Sequence, residues 1–146
     1  MKTFHFRLER VLAWRSTQLA LEEAKAEQIQ GGLRVAGEAK AEVARNQAEA
    51  VATALQSPTI SGATLGELEA SRIWANREEK RLAARMAELQ QSLVVQYQTV
   101  ANVRRGVKLV ERLREKKLDA WKVEAGAEVD ALAAESAIAQ WRRLNP

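Results

Sequence analysis

A stripe of apolar residues in the second half of the chain limits what this sequence can fold into. Nine positions follow each other at alternating steps of four and three, and only one of them is polar: Leu82, Met86, Leu89, Leu93, Gln96, Val100, Val103, Val107 and Val110. A hydrophobic repeat of about 3.5 residues keeps one side of an α-helix against a partner helix, which is the seam of a coiled coil. We therefore expect a long helix here and a second helix packed against it.

The first part of the chain carries a weaker stripe at the same spacing. Many of its positions are alanine: Leu8, Leu12, Arg15, Leu19, Glu22, Ala26, Ile29, Leu33, Ala36, Lys40, Val43, Gln47, Ala50 and Ala54. Gly31, Gly32 and Gly37 lie inside this pattern, and each costs roughly 1 kcal/mol relative to alanine in a helix interior. A soft spot or a close approach of two helices explains them better than a functional hinge.

Between the two stripes, residues 56–63 hold the serines, proline and glycine of a turn. Pro58 lacks an amide donor and disfavours helix in Ser57, so the first helix should end there. Thr64 and Glu67 have the spacing of a capping box, which places the start of the second helix at Thr64. The expected elements are helix 1 at about 4–56, a turn at 57–63 and helix 2 at 64–144, together one domain over residues 1–146.

A short turn makes the two helices antiparallel, so facing residues should have numbers that add to roughly 120. The strong stripe then meets the first helix of the same chain. Trp14 falls opposite Gly106, where a missing side chain would leave room for the indole, unless the match is coincidence. The predicted fold class is all-α: a long two-helix antiparallel coiled-coil hairpin with a C-terminal helical overhang.

The overhang should begin past about Lys116, where the first helix has no residues left to pair. It still carries large apolar residues: Leu118, Trp121, Val129, Leu132, Ile138 and Trp141. Several of them are eleven apart, a spacing typical of a nearly straight or slightly right-handed coil. An exposed apolar series marks a surface for another protein, and self-association or fraying of the overhang are the alternatives.

Charge and composition exclude several functions. Charged residues make up 29% of the chain and aromatic residues 5%, as in a coiled coil rather than a globular enzyme. There is no cysteine, and the sole histidine, His5, has no paired carboxylate or cysteine nearby, so we expect neither a metal, a cofactor nor a catalytic site. The net charge of +4 is modest for a nucleic-acid binder. No segment has the pattern of a targeting signal or a membrane-spanning helix.

Basic residues nevertheless concentrate where the two ends of the chain should meet. Residues 104–117 hold seven basic and two acidic side chains, and Arg7, Arg10 and Arg15 lie on the first helix at the same level. A solvated helix face is the simplest explanation. Nucleic-acid binding through this collar is another, and it would give an affinity that falls steeply with salt.

Two segments resemble the FliJ family of flagellar export proteins. They are the opening Phe4-His5-Phe6-Arg7-Leu8-Glu9-Arg10-Val11-Leu12, with Arg15 following, and the run Leu113-Arg114-Glu115-Lys116-Lys117-Leu118-Asp119-Ala120-Trp121-Lys122. The similarity covers nearly the whole chain as a two-helix pattern. It implies a non-enzymatic coiled-coil stalk of the type III export apparatus, cytoplasmic and peripheral to the inner membrane.

The resemblance also implies partners. The end that carries both termini would enter the central hole of a hexameric export ATPase of the FliI type, and the surface toward the tip would contact an export gate protein of the FlhA type. Export chaperones are further partners in that family. The protein would act as a monomer, without membrane insertion and without nucleic acid.

Carried onto this sequence, the resemblance assigns candidate residues to each partner. The ATPase-binding candidates are Phe4, Phe6, Arg7, Leu8, Arg10, Val11, Arg114, Lys117, Leu118 and Trp121. The gate-binding candidates are Gln47, Val51, Trp74, Glu78 and Arg81. Trp74 is the best of the second set because it lies off the seam, and an exposed tryptophan commonly anchors an interface. A generic coiled-coil adaptor or chaperone that homodimerises through its overhang is the alternative function.

Overall fold

The protein consists of two long helices that pack against each other and run in opposite directions. A computed structural model describes residues 3–145. Helix α1 spans Glu9–Leu55 and helix α2 spans Gly62–Leu144, and no strand occurs within the described range. The all-α helical hairpin predicted from the two apolar stripes is therefore confirmed.

The prediction that the first helix begins near Phe4 is wrong. Residues 3–6 have no regular structure, and α1 begins at Glu9, whose amide donates to the Phe6 carbonyl over 3.1 Å. In a helix, Phe4 and Phe6 would point about 200° apart, whereas an extended segment puts residues two apart on one side. Leaving the helix lets both rings face the same way, and Phe6 is only 6% exposed.

The start of α2 also differs from the prediction, because Ser61 and not Thr64 caps the helix. The Thr64 amide donates to Ser61 Oγ over 3.2 Å, and the Leu65 amide donates to the Ser61 carbonyl over 3.1 Å. These are the two bonds expected of an N-cap serine. The predicted Thr64 and Glu67 capping box does not form, because Thr64 already lies in the first turn, where its hydroxyl hydrogen bonds Ser61. Helix α1 ends at Leu55, close to the predicted Ser57.

The two predicted stripes are the packed faces of the helices. All nine positions from Leu82 to Val110 are buried or half-buried. On α1 every predicted position is buried or half-buried except Arg15 and Lys40. Ala39 takes the place of Lys40 and packs against the cluster of Val43, Ala75 and Leu82.

Contacts divide the chain into two compact units, which we call unit 1 and unit 2. Unit 1 contains the described residues 3–20 and 101–145, and unit 2 is Leu21–Val100. In unit 2 the Ser71 hydroxyl donates to Gln47 Oε1 over 2.9 Å, and a Cβ on Gly32 would lie 3.5 Å from Leu89 Cδ1. The numbers of each pair add to within a few of the predicted 120.

Space is available for a side chain at the glycines of α1. A Cβ on Gly31 would meet nothing within 4 Å, and on Gly32 and Gly37 it would make ordinary van der Waals contact with Leu89 and Met86. These glycines are therefore not required for a close approach of the helices. They are positions at which helix α1 is locally less stable.

The polar residue of the α2 stripe, Gln96, meets a polar residue of the α1 stripe, Glu22, in unit 2. Gln96 Nε2 donates to the Glu22 carbonyl over 2.9 Å and to Glu22 Oε2 over 2.6 Å. Lys25 Nζ donates to the other carboxylate oxygen of Glu22 over 2.9 Å. The hydrogen bonds from Lys25, first, and from Gln96 hold the pKa of the Glu22 carboxyl below its ordinary 4.5. A polar pair of this kind inside a seam favours one register over others.

In unit 1 the match of Trp14 with Gly106 is a coincidence, and the expectation that the indole fills this space is wrong. A Cβ on Gly106 would lie 2.5 Å from Arg15 Nη1, so the Arg15 guanidinium occupies the space expected for Trp14, which is 62% exposed. The flexible side chain of an arginine can lie along a helix while its charged guanidinium stays in water.

The overhang also begins later than expected, because the N-terminal segment covers its first part. Leu118, Trp121 and Ala125 are half-buried. From position 126 to position 145, every residue is exposed. We call residues 126–144 of α2 the C-terminal extension. Val129, Leu132, Ile138 and Trp141 are exposed there, as predicted. Neither helix described within residues 3–145 contains a hydrophobic stretch of the length needed to span a bilayer.

Replacing Glu22 by glutamine should reduce the loss of stability that the protein shows when the pH is lowered. The folded state favours the ionised carboxylate, so its contribution is complete above the ordinary pKa of 4.5 and is lost as the pH falls through the lower folded value. We expect the drop in Tm between about pH 6 and about pH 3, followed by circular dichroism, to be smaller in Glu22→Gln than in the unmodified chain. Glu49→Gln, at an exposed position of the same helix, is the control. Equal drops in the two variants would contradict the assignment.

Candidate functional site

The N-terminal segment, residues 3–8, lies against α2 within unit 1. The Phe4 ring and the Trp121 indole have centroids 6.0 Å apart and planes tilted by 57°. This is within the range in which aromatic rings attract each other edge to face. Phe6, two residues after Phe4, is buried.

Arg114 connects the segment to both helices. Its guanidinium carbon lies 5.8 Å from the centre of the Phe4 ring, a distance suited to a cation–π contact. Its Nε donates to Glu9 Oε2 over 3.0 Å, at the first residue of α1. One side chain of α2 therefore holds the segment and the beginning of α1 in place.

An open groove of about 850 Å³ lies between the N-terminal segment and α2. Its apolar walls come from aromatic and aliphatic side chains of both, and its charged members are of both signs. The residues that line it are Thr3, Phe4, His5, Phe6, Arg7, Leu8, Leu113, Lys117, Ala120, Trp121, Glu124, Ala125 and Glu128. On α2 the basic Lys117 lies two turns before Glu124, so the groove is polarised along the helix.

Most of the predicted ATPase-binding residues lie around this groove. Six line it: Phe4, Phe6, Arg7, Leu8, Lys117 and Trp121. Arg114 contacts Phe4, Leu118 is half-buried, and Arg10 and Val11 are exposed on the first turn of α1. Residues from both ends of the sequence are thus neighbours. Whether they bind an ATPase stays a prediction.

The predicted gate-binding residues lie in unit 2 and differ in what they can offer a partner. Gln47 is half-buried and accepts the hydrogen bond from Ser71, so it belongs to the contact between the helices. Val51 and Trp74 are exposed, as expected for Trp74. Arg81 donates to Glu78 over 3.1 Å, which holds the pKa of the Glu78 carboxyl below its usual value. Trp74 and Val51 are the members of the set with apolar surface available.

Sequence reasoning missed several residues of the groove. Leu113, Ala120, Glu124 and Glu128 line the groove together with the N-terminal segment, because that segment is not helical and lies against α2. The signal that could have found them is the Phe-x-Phe pair, whose spacing of two suits an extended chain better than a helix. Within residues 3–145, no group of three or more His, Cys, Asp or Glu side chains is placed to hold a metal ion.

No protein-family model, curated protein or solved structure matches this chain.

Replacing Phe4 by alanine should expose the Trp121 indole to water. The other tryptophans, Trp14, Trp74 and Trp141, are already exposed, so a background with phenylalanine at those three positions reports on Trp121 alone. We expect Phe4→Ala to shift its fluorescence to longer wavelength and to increase quenching by acrylamide, because the ring contact is lost. Arg10→Ala, which changes an exposed residue of the first turn of α1 that does not line the groove, should leave the emission unchanged. An unchanged spectrum in Phe4→Ala would show that the segment does not cover Trp121.

Proposed function

We propose that this protein is a non-enzymatic stalk of the flagellar type III export apparatus, which couples a hexameric export ATPase to a membrane export gate. The observation that carries the proposal is the groove of unit 1. It brings together parts of the two segments, residues 4–12 and 113–122, through which the sequence resembles the FliJ family. In a helical hairpin, these are the residues at the end opposite the turn.

The chemistry of this groove suits a protein partner better than a small substrate. It is open along one side and combines aromatic rings with separated basic and acidic side chains, as protein interfaces do. Arg7 and Lys117 supply positive charge, and Trp121 supplies a large apolar surface beside them. Aromatic and arginine side chains contribute most to binding in many interfaces.

In this proposal the protein works at the cytoplasmic face of the inner membrane, peripheral to it. Trp74 and Val51, exposed in unit 2, are the best candidates for the contact with the export gate. Export chaperones are further partners that the family resemblance implies. The protein itself performs no chemistry and promotes assembly of the ATPase ring.

Reversing the charge at Lys117 should abolish the effect on the ATPase. Lys117 is exposed and lines the groove, so Lys117→Glu leaves the helix packing intact, whereas Leu118→Asp would alter a half-buried position. We expect the unmodified chain to stimulate ATP hydrolysis and hexamer formation by a purified flagellar export ATPase, and Lys117→Glu and Trp121→Ala to lose this stimulation at unchanged helicity. Trp74→Ala, an exposed tryptophan of unit 2, should retain it. Full stimulation by Lys117→Glu and Trp121→Ala would exclude the groove as the ATPase site.

A homodimeric coiled-coil adaptor is the second candidate function, and the exposed apolar residues of the C-terminal extension favour it. Sedimentation velocity separates the two. A stalk that fits singly into a six-fold ring should sediment as a monomer at micromolar concentration, and we expect this result. A tight dimer that dissociates on Trp141→Ser would favour the adaptor instead.

A further inference from the structure

Four large apolar side chains of unit 1 are exposed although they adjoin the packed seam. On α1, Val11 and Trp14 are 38% and 62% exposed. On α2, Leu109 and Leu113 are 66% and 39% exposed. We call these four residues the flank patch.

Helical spacing puts the flank patch on one side of the two helices. Each member comes one residue before a seam position: Leu12, Arg15, Val110 and Arg114. In an antiparallel pair, the residues that precede the seam on both helices border the same side of it. The residues that follow the same four seam positions are Ala13, Ser16, Glu111 and Glu115, so the opposite side has no large apolar side chain there.

Basic side chains border the patch on both outer edges. Arg10 lies one turn before Trp14 on α1, and on α2 Arg105, Arg112 and Lys116 lie three or four residues from a leucine of the patch. All four are exposed, and none forms an ion pair with another residue in the described range 3–145. The arrangement is an apolar centre with one basic side chain at its α1 edge and three at its α2 edge.

We propose that the flank patch is a docking surface for an amphipathic α-helix of another protein, with an apolar stripe bordered by carboxylates. Val11 and Leu113 lie in the angle between α1 and α2, which a third helix fills and a flat bilayer does not reach. A nucleic-acid phosphate backbone would pair with the cations but would leave the apolar centre uncovered. Carboxylates at both borders of an incoming helix would pair with Arg10 on one edge and with Arg112 and Lys116 on the other. The patch and its border share Arg10, Val11 and Leu113 with the ATPase-binding candidates and the groove, but binding of such a helix does not depend on the proposed function.

A designed peptide of three heptads tests the proposal. The probe has leucine at the two seam positions of each heptad and glutamate at the flanking ones, and like charge prevents it from pairing with itself. A matched peptide carries lysine in place of glutamate. Fluorescence anisotropy of the labelled peptides, titrated with the full chain, measures binding. We expect the glutamate peptide to bind and the lysine peptide to bind at least roughly tenfold more weakly.

Variants of the chain assign the binding to the patch. Trp14→Ser and Leu109→Ser should each weaken the glutamate peptide by roughly tenfold or more, as expected when an interface anchor is removed. Trp74→Ser, which removes an equally exposed tryptophan in unit 2, is the control and should bind normally.

Charge reversal tests the borders separately from the apolar centre. The double variant Arg112→Glu, Lys116→Glu should reverse the preference and bind the lysine peptide more tightly than the glutamate peptide. The double variant Arg142→Glu, Arg143→Glu changes the net charge equally, in the exposed last turn of α2, and should keep the original preference.

Three results would overturn the proposal. One is failure of both peptides to bind, and another is equal binding of the two. The third is occupation of the patch by something else: a dimer of the chain that Trp14→Ser dissociates, or retention on vesicles with anionic lipid that Trp14→Ser abolishes while neither peptide binds.

Discussion

Burial of the apolar stripe of α2 against α1 is the interaction on which the rest of the structure depends. Removing apolar surface from water stabilises by roughly 25 cal/mol per Å², and here that surface is spread along a single narrow seam. Helix α1 has an alanine-rich face with three glycines in its middle. Much of the stability of this helix must therefore come from packing against α2. The antiparallel turn at residues 56–61 makes this partner available within the same chain.

A two-helix seam leaves little room for deep burial, and that has consequences for register. No large side chain in residues 3–145 is fully enclosed, and the buried set on α1 is mainly alanine. Two helix faces made of small side chains can pack in more than one alignment along their axes. Polar contacts such as Gln96 with Glu22 and Ser71 with Gln47 are satisfied in only one of them. They therefore select the alignment that the apolar residues stabilise.

The candidate surfaces for partners consist of residues that are not buried in the seam between the two helices. Unit 1 has the groove beside the N-terminal segment, the flank patch with its basic borders and the exposed C-terminal extension. Leu113 belongs to both the groove and the patch, so partners at the two surfaces would be neighbours. In unit 2, Trp74 and Val51 are exposed, and so are other large apolar residues such as Val94 and Val95. Because a two-helix structure exposes most of its side chains, its sequence can carry several binding surfaces without disturbing the packing.

The sequence by itself determined the two helices, the faces they bury and their antiparallel pairing. These follow from a local period of apolar residues and from a turn with proline and glycine, which need no knowledge of distant contacts. It also marked Phe4, Lys117 and Trp121 as residues of one site, through the resemblance of two segments.

Only the tertiary structure decided how the N-terminal segment folds, which residue caps α2 and which side chain lies over Gly106. The choice of a non-helical segment over a longer helix depends on Phe4 meeting Trp121 of α2, more than a hundred residues later in the chain. The helical period of apolar residues continues through Leu8, so the sequence pattern alone does not predict that contact. The free energy gained when an aromatic ring packs against a distant helix outweighs the local preference for helix. A local sequence pattern cannot predict that gain, because the partner lies far along the chain.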